Sequence, residues 1–192
     1  MVVDIREESI RDLGTQAQIS IAFQVAEVLE VGQLDEGLGG LGFRERSIAS
    51  PYVKDYDAIK DEGPSSWAQR FDISNWGLIG AYADGRRIGG VVIASKTPGL
   101  HLLEGRSDLA VIWDIRVAPE SRRQGVGSLL FAASESWARR HDARKVKVET
   151  QNVNVAACRF YVHQGCALGA IHRFAYPGSP EEVQLLWYKD LV

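Results

Sequence analysis

The chain has few cysteines and no long apolar run. Its two cysteines, Cys158 and Cys166, belong to neither a CxxC pair nor a zinc-ligand spacing, so we expect reduced thiols and no metal site. No stretch approaches the roughly 20 consecutive apolar residues that a membrane span needs. The first residues, MVVDIREESIRD, lack the basic-then-apolar pattern of a secretory signal. These absences predict a cytoplasmic protein without a membrane partner.

An excess of positive charge is also missing. The net charge is −3 and the isoelectric point is near 5.8, which argues against nucleic-acid binding and weakly favours a cationic partner. The chain has 192 residues, of which 45% are apolar. That length and composition predict one domain over residues 1–192. A monomer and a homodimer are both compatible with the sequence.

The first hundred residues predict mainly antiparallel strands. Apolar residues recur at a period of two from Ile19 to Val31, which favours a strand, although the same stretch contains good helix formers. Asp84-Gly85 lies between two apolar runs and predicts a hairpin, because a type I′ turn needs positive φ at both central positions. The predicted elements are strands over residues 19–31 and 41–48, a surface loop over 51–63, a helix from Pro64 to before Ser74, and strands over 76–83 and 86–95.

Residues 109–165 predict a βαβα unit. In the first strand, residues 109–117, an apolar face alternates with one that carries Asp114 and Arg116. Asn154 is a suitable N-cap for the second helix, and Gly165 suits the position just past its end. The first helix has a core-facing stripe of Val126, Leu129, Leu130, Ala133 and Trp137. Strands over 145–150, 167–174 and 183–188 complete a mixed α/β sheet.

The segment RRQGVG, residues 122–127, joins the first strand of this unit to its helix. Its glycines allow a close turn, and the first N–H groups of the helix have no internal partner. Together with the helix dipole and two arginines, these donors can bind an oxyanion such as a diphosphate. The dinucleotide fingerprint GxGxxG and the Walker motif GxxxxGK[ST] are both absent.

The remaining R-x-x-G-x-G spacing resembles the GNAT superfamily of acetyl-CoA-dependent N-acetyltransferases. The resemblance implies that the loop cradles the diphosphate of coenzyme A, and that the preceding strand pairs through its backbone with the pantetheine arm. The residues it assigns to the coenzyme are Ile115, Val117, Arg122, Arg123, Gln124, Gly125, Val126, Gly127, Ser128 and Asn154.

A second block supports the resemblance. The pattern N-x-x-A-x-x-F-Y-x-x-x-G is present as Asn154, Ala157, Phe160, Tyr161 and Gly165. In the family the asparagine contacts the pantetheine, and the tyrosine lies near the thioester sulfur. The family often has phenylalanine after that glycine, at a packing position where this chain has a cysteine.

Three longer segments narrow the resemblance to the streptothricin acetyltransferase branch: WDIRVAPESRRQGVGSLL, ETQNVNVAACRFY and IHRFAYPGSPEEVQLLWY. The resemblance implies a single-domain α/β fold, a mixed and mostly antiparallel twisted sheet with a central splayed parallel βαβ unit and flanking helices. It implies acetyl transfer to a primary amine of a small cationic acceptor, such as the β-lysine amine of a streptothricin-like antibiotic. The alternatives are a protein lysine or N-terminal acetyltransferase, and a non-catalytic acyl-CoA-binding sensor.

Acetyl transfer requires a base, because a lysine-like amine has a pKa of about 10.4 in water. Asp114 and Glu149 lie late on neighbouring predicted strands, and either could accept the proton or hold the cationic substrate. Tyr161 is the candidate acid for the leaving thiolate. Cys158 offers a covalent alternative, although no base is evident beside it. Aromatic residues could form a wall for a cationic acceptor or belong to the core: Trp76, Trp113, Tyr176 and Trp187.

Overall fold

Strands dominate the computed structural model, which describes residues 2–191. In chain order the strands are β1 (Asp4–Glu8), β2 (Phe23–Gln33), β3 (Leu41–Lys54), β4 (Gly77–Ala83), β5 (Arg86–Ser95), β6 (Leu109–Val117), β7 (Lys145–Gln151), β8 (Ala167–His172) and β9 (Gln184–Asp190). The α-helices are α1 (Pro64–Arg70), α2 (Val126–Arg140) and α3 (Val155–His163). Short 3-10 segments lie at Ile10–Gln18, Asp35–Gly37, Tyr56–Ala58, His101–Leu103 and Pro119–Ser121. No helix within residues 2–191 is long and apolar enough to cross a membrane.

The described chain divides into two compact units. The first comprises residues 2–22, 55–148 and 189–191, and the second comprises residues 23–54 and 149–188. The first unit has the strand order β1-β4-β5-β6-β7, antiparallel except for the parallel β6–β7 pair. The predicted hairpin is confirmed: Asp84 and Gly85 have φ values of 49° and 77° between β4 and β5. The mixed, mostly antiparallel sheet is therefore as predicted.

Strand β6 is paired differently along its two edges. Its parallel pairing with β7 runs from Leu109↔Lys145 to Ile112↔Val148, while β6 itself continues to Val117. The strand also contains a bulge, because Ile93 faces Ile112 whereas the adjacent Val92 faces Asp114. Trp113 is skipped in the pairing, an irregularity that the alternation of β6 did not predict, although Trp113 packs against the same core cluster as Val111, as predicted. Bulges re-aim side chains and are common beside active sites.

Apolar side chains on one face of the first unit form its core. Aromatic rings dominate this cluster: Trp113 lies edge-on to Trp67 at a centroid distance of 6.1 Å and tilted to Trp76 at 5.5 Å. Trp76 is 5% exposed, so the structure makes it a core residue. On α2 the predicted stripe needs one correction. Leu129 is 45% exposed and Phe131 is 1% exposed, because the buried face of the helix is rotated toward Phe131 and Ser134.

The second unit contains a long hairpin and the end of the sheet. Strands β7, β9 and β8 lie side by side, and β8 pairs antiparallel with β9 from Ala167↔Tyr188 to His172↔Gln184. Strand β3 extends to Lys54, so the loop predicted from residue 51 begins too early. The pairing with β2 jumps from Val25↔Tyr52 to Glu27↔Ser47. Pro51 falls in this irregular stretch, where its missing N–H breaks no ladder bond.

Candidate active site

The basic loop leads directly into α2, and within residues 2–191 no side chain caps the first backbone N–H groups of this helix. Arg122 is extended, Arg123 has a φ of 60°, and Gly125 has a φ of 86° at the N-cap. Among residues 2–191, no side chain caps this end of α2, and its first turn contains no acidic residue. The helix dipole and the backbone donors of the first turn are therefore not offset by a carboxylate, which is the arrangement that binds phosphate groups.

The two arginines of this loop have different surroundings. The Arg122 guanidinium donates from Nε to the Val117 carbonyl at 3.0 Å and from Nη2 to the Ala22 carbonyl at 3.1 Å. It therefore braces the end of β6 against the segment that follows the first 3-10 helix. Arg123 is exposed, and its side chain has no hydrogen bond or ion pair within residues 2–191. Arg123 is thus the arginine that remains available to an anion.

The predicted pantetheine contacts lie on a half-paired strand. Ile115 and Val117 pair along one edge with Val91 and Gly89 of β5. These two residues lie beyond Ile112, where the pairing of β6 with β7 ends. A strand with an unpaired backbone edge can add an extended ligand through main-chain hydrogen bonds.

Asp114 lies in a buried ion network of the first unit. Its carboxylate accepts from Arg116 Nε at 2.9 and 3.0 Å and from Gln16 Nε2 at 2.6 Å. Arg116 also donates to Asp57 at 2.5 and 2.9 Å and to the Ile19 carbonyl at 3.1 Å. Burial opposes the charge of Arg116, but the hydrogen bonds to Asp57 and the carboxylate of Asp114 outweigh it and raise the pKa of the guanidinium. Arg116 therefore compensates the charge of Asp114.

Glu149 lies in a different kind of cluster, in the second unit. The Tyr176 hydroxyl donates to its Oε1, and the Gln184 amide donates to its Oε2 at 2.8 Å. The Gln151 amide donates to the Tyr176 hydroxyl at 2.9 Å and lies 3.3 Å from Oε1. Every one of these donors is neutral. The carboxylate is half-buried, and no Lys, Arg or His side chain of the described chain pairs with it.

The two candidate carboxylates thus differ in their hydrogen-bond and ion-pair partners. Asp114 is matched by Arg116, whereas Glu149 keeps a negative charge that only neutral groups solvate. Lys147, the nearest basic residue along the strand, pairs with Glu104 at 2.7 Å instead. An uncompensated, half-buried carboxylate attracts a cation, and a compensated one does so far less.

Helix α3 carries the second sequence block. Asn154 is its N-cap, as predicted, and its Oδ1 accepts from the Ala157 N–H at 3.1 Å. Tyr161 is 3% exposed, and its ring lies edge-on to Phe160 at 5.1 Å. Gly165 has a φ of 81° just past the end of the helix, also as predicted.

Cys158 is a buried free thiol one turn before Tyr161. Its Sγ lies 3.4 Å from Thr150 Oγ1, which also accepts from Trp187 Nε1 at 2.8 Å. Burial raises the pKa of the Cys158 thiol. A raised pKa lowers the thiolate fraction and makes a covalent acetyl-cysteine route unfavourable. Trp187 is itself 5% exposed, which makes it a core residue.

Several partners in these clusters were not predicted from the sequence. Gln16 reaches Asp114 across 98 residues, and Tyr176 reaches Glu149 across 27. Such pairs depend on the tertiary fold, and local periodicity carries no signal for them. The one available signal is the aromatic side chain of Tyr176 immediately before the polar turn PGSPEE, which made it a candidate for the acceptor wall.

The comparisons with known proteins show the family of the chain. The sequence profile described as "Acetyltransferase (GNAT) family" matches residues 46–166, and the chain belongs to that family. Streptothricin acetyltransferase from Escherichia coli is 31% identical over 169 residues, covering 86% of this chain and 84% of that protein. Streptothricin acetyltransferase A from Bacillus subtilis (strain 168) is 26% identical over 155 residues, covering 76% and 78%.

A solved structure extends the likeness to the whole chain. It is that of a Bacillus anthracis str. Ames protein assigned as a streptothricin acetyltransferase, in complex with acetyl coenzyme A. The TM-score is 0.76 and the identity 27%, with 99% of each chain covered. The chain is therefore similar in fold to an acetyltransferase whose structure contains acetyl coenzyme A.

Proposed function

We propose that the protein transfers the acetyl group of acetyl-CoA to a primary amine of a small cationic acceptor, with a streptothricin-like antibiotic as the leading candidate. The observation that carries this proposal is the Glu149 cluster. A half-buried carboxylate held by neutral donors gives a protonated amine a counter-ion, and no arginine or lysine of the described chain competes for it. The likeness to streptothricin acetyltransferases supports the same class of acceptor.

The residues of the first unit fit the coenzyme. The uncapped first turn of α2 and the unpaired Arg123 would receive the diphosphate. The backbone of Ile115 and the N–H of Val117 would pair with the pantetheine amides, while the Val117 carbonyl accepts from Arg122. Asn154, in the second unit, is the pantetheine contact that the family resemblance implies. When bound, acetyl-CoA supplies an activated acetyl thioester.

The second unit supplies the proposed acid and base. Glu149 would take a proton from the acceptor ammonium, directly or through water, because only the neutral amine has a lone pair for attack. Tyr161 would donate its phenolic proton as negative charge develops on the departing sulfur. The acceptor nitrogen loses two protons in all, one to Glu149 before attack and one as the tetrahedral intermediate collapses to the amide. The thiolate takes up one proton from Tyr161, and the products are the amide, the thiol of coenzyme A and one proton released to solvent.

Asp114 has another role in this proposal. Because Arg116 and Gln16 already occupy its carboxylate, it would hold Arg116 in place between β6 and Asp57. Protonating Asp114 would weaken the hydrogen bonds that its carboxylate accepts from Arg116 and Gln16, and this would disturb the buried network. We therefore assign proton acceptance to Glu149 alone.

A thiol-release assay with a panel of acceptors tests the proposed function. The panel contains streptothricin, spermidine, lysine and a basic peptide with a free N-terminus, each titrated at saturating acetyl-CoA. We expect the highest kcat/KM with streptothricin. Preference for the peptide would instead indicate a protein acetyltransferase. Tight acetyl-CoA binding with no turnover of any amine would indicate a binding module and overturn the enzyme proposal.

A pair of variants tests whether Glu149 contributes to the turnover measured in this assay. Glu149→Gln removes the charge but keeps the shape of the side chain. Glu181→Gln is the matched control, because Glu181 is an exposed carboxylate of the same unit without a hydrogen bond to this cluster. Only Glu149→Gln should lower kcat/KM for the cationic amines.

A further inference from the structure

We propose that Tyr176 is a positioning residue, which orients the Glu149 carboxylate and so sets the geometry with which it receives the acceptor amine. The inference rests on the proposed function, since it assigns a partner to the residue that carries it. Tyr176 belongs to the segment between β8 and β9, outside the coenzyme loop and the Asn154–Gly165 block but within the tail that resembles the streptothricin branch.

The hydrogen bonds around Tyr176 have a fixed direction. The Gln151 amide donates to the Tyr176 oxygen at 2.9 Å, so the phenolic hydrogen is left to point at Glu149 Oε1. Gln184 holds the other carboxylate oxygen at 2.8 Å. The two oxygens of Glu149 are thereby fixed from two places, Oε1 from the β8–β9 connection and Oε2 from β9, and rotation of the carboxylate would break one of these bonds.

These donors keep Glu149 available for a cation. A lysine or arginine in the place of Tyr176 would also orient the carboxylate, but it would cancel its charge, as Arg116 does for Asp114. A neutral phenol supplies the orientation without the compensation. A group that is already oriented needs little reorganisation when the substrate binds, and this lowers the barrier to reaction.

The segment that carries Tyr176 is anchored independently of the phenol. Glu182 forms an ion pair with Lys54, and both side chains are largely buried. The Val183 N–H donates to the Asn152 side chain at 2.8 Å. Removing the Tyr176 hydroxyl should therefore leave the segment folded.

A double-mutant cycle tests whether Tyr176 acts through Glu149. Tyr176→Phe should lower kcat/KM for the cationic acceptor by about tenfold, the effect of a hydrogen bond to a charged group. KM for acetyl-CoA and the urea midpoint should not change. In the Glu149→Gln background, Tyr176→Phe should have almost no further effect, because the charge that it orients is gone.

Tyr52→Phe is the control. Tyr52 is 43% exposed in the same unit, and its hydroxyl has no hydrogen bond to the Glu149 cluster. It should leave the kinetics unchanged in both backgrounds. Additive effects of Tyr176→Phe and Glu149→Gln would overturn the inference while leaving the proposed function intact. If the unmodified protein acetylates no amine, the proposed function fails and the inference falls with it.

Discussion

Asp114 and Glu149 show how partners assign different roles to similar side chains. Both are carboxylates late on a strand of the sheet, and the sequence alone gave them equal claims as the base. The structure surrounds Asp114 with a buried arginine and a glutamine, and Glu149 with a phenol and two amides. The difference lies in the kind of partner: Asp114 contacts a buried arginine that it shares with Asp57, and Glu149 contacts only neutral donors.

The two carboxylates should contribute to different properties of the protein, Asp114 to folding stability and Glu149 to turnover. Removing one partner of a buried ion pair is strongly destabilising, because the other charge stays buried without compensation. An anion solvated by neutral donors contributes less to stability but can bind a cation when one arrives. Replacing Asp114 should therefore affect folding first, and replacing Glu149 should affect turnover first.

The largest expected effect is that of Glu149→Gln on turnover. We expect kcat/KM for the acceptor to fall by about a hundredfold or more, the usual contribution of a positioned general base. Stability should change by less than about 1 kcal/mol, since the amide retains the shape of a half-buried side chain. Steady-state kinetics and urea unfolding measure the two quantities. An unchanged kcat/KM would remove Glu149 from the reaction.

Asp114→Ala should mainly lower stability. The change leaves Arg116 buried with Asp57 as its remaining carboxylate, and breaking such a pair costs about 3 kcal/mol in free energy of unfolding. The double variant Asp114→Leu/Arg116→Met should be less destabilised than the sum of its single changes, because both buried charges are removed together. Urea titration provides the comparison. Additive losses would mean that the two side chains are not coupled.

The coenzyme loop offers the same contrast between a braced and an unpaired charge. Arg123→Ala should raise KM for acetyl-CoA about tenfold, corresponding to one lost charge-assisted hydrogen bond, without changing the urea midpoint. Arg122→Ala should raise KM less and lower stability by about 1 kcal/mol, because its bonds to Val117 and Ala22 are lost. A larger KM effect for Arg122 would reverse the assignment.

The smallest effect concerns Cys158 at alkaline pH. Burial raises the pKa of its thiol in the folded state above the unfolded value of about 8.5. The stabilisation from a neutral thiol is then fully present below that pH and is lost as the pH rises toward the folded pKa. Cys158→Ala should show a shallower decline in stability above about pH 8.5. Equal declines would show that the thiol does not titrate differently on folding.

Local patterns predicted the parts of the molecule that depend on near neighbours. The turn at Asp84-Gly85, the N-cap at Asn154 and the loop at Gly125 all follow from steric or hydrogen-bonding rules within a few residues. The spacing of the loop and of Asn154 with Tyr161 also pointed to the acetyltransferase family, which the comparisons confirm.

Local sequence patterns do not predict features that depend on contacts between residues far apart in the chain. The bulge at Trp113 arises from the pairing of β6 with β5, and no residue in the strand predicts it. The partners of Asp114 and Glu149 are brought in by loops whose paths the sequence does not specify. For this reason the sequence identified two carboxylates, and the fold distinguished them.

The most direct test compares the two isosteric amides, Glu149→Gln and Asp114→Asn, in one acceptor titration at saturating acetyl-CoA. After correction for the folded fraction, Glu149→Gln should lose about a hundredfold in kcat/KM, and Asp114→Asn should lose less than about tenfold. The unfolding free energies should rank in the opposite order. A larger loss of turnover for Asp114→Asn than for Glu149→Gln would contradict the assignment of the acceptor carboxylate.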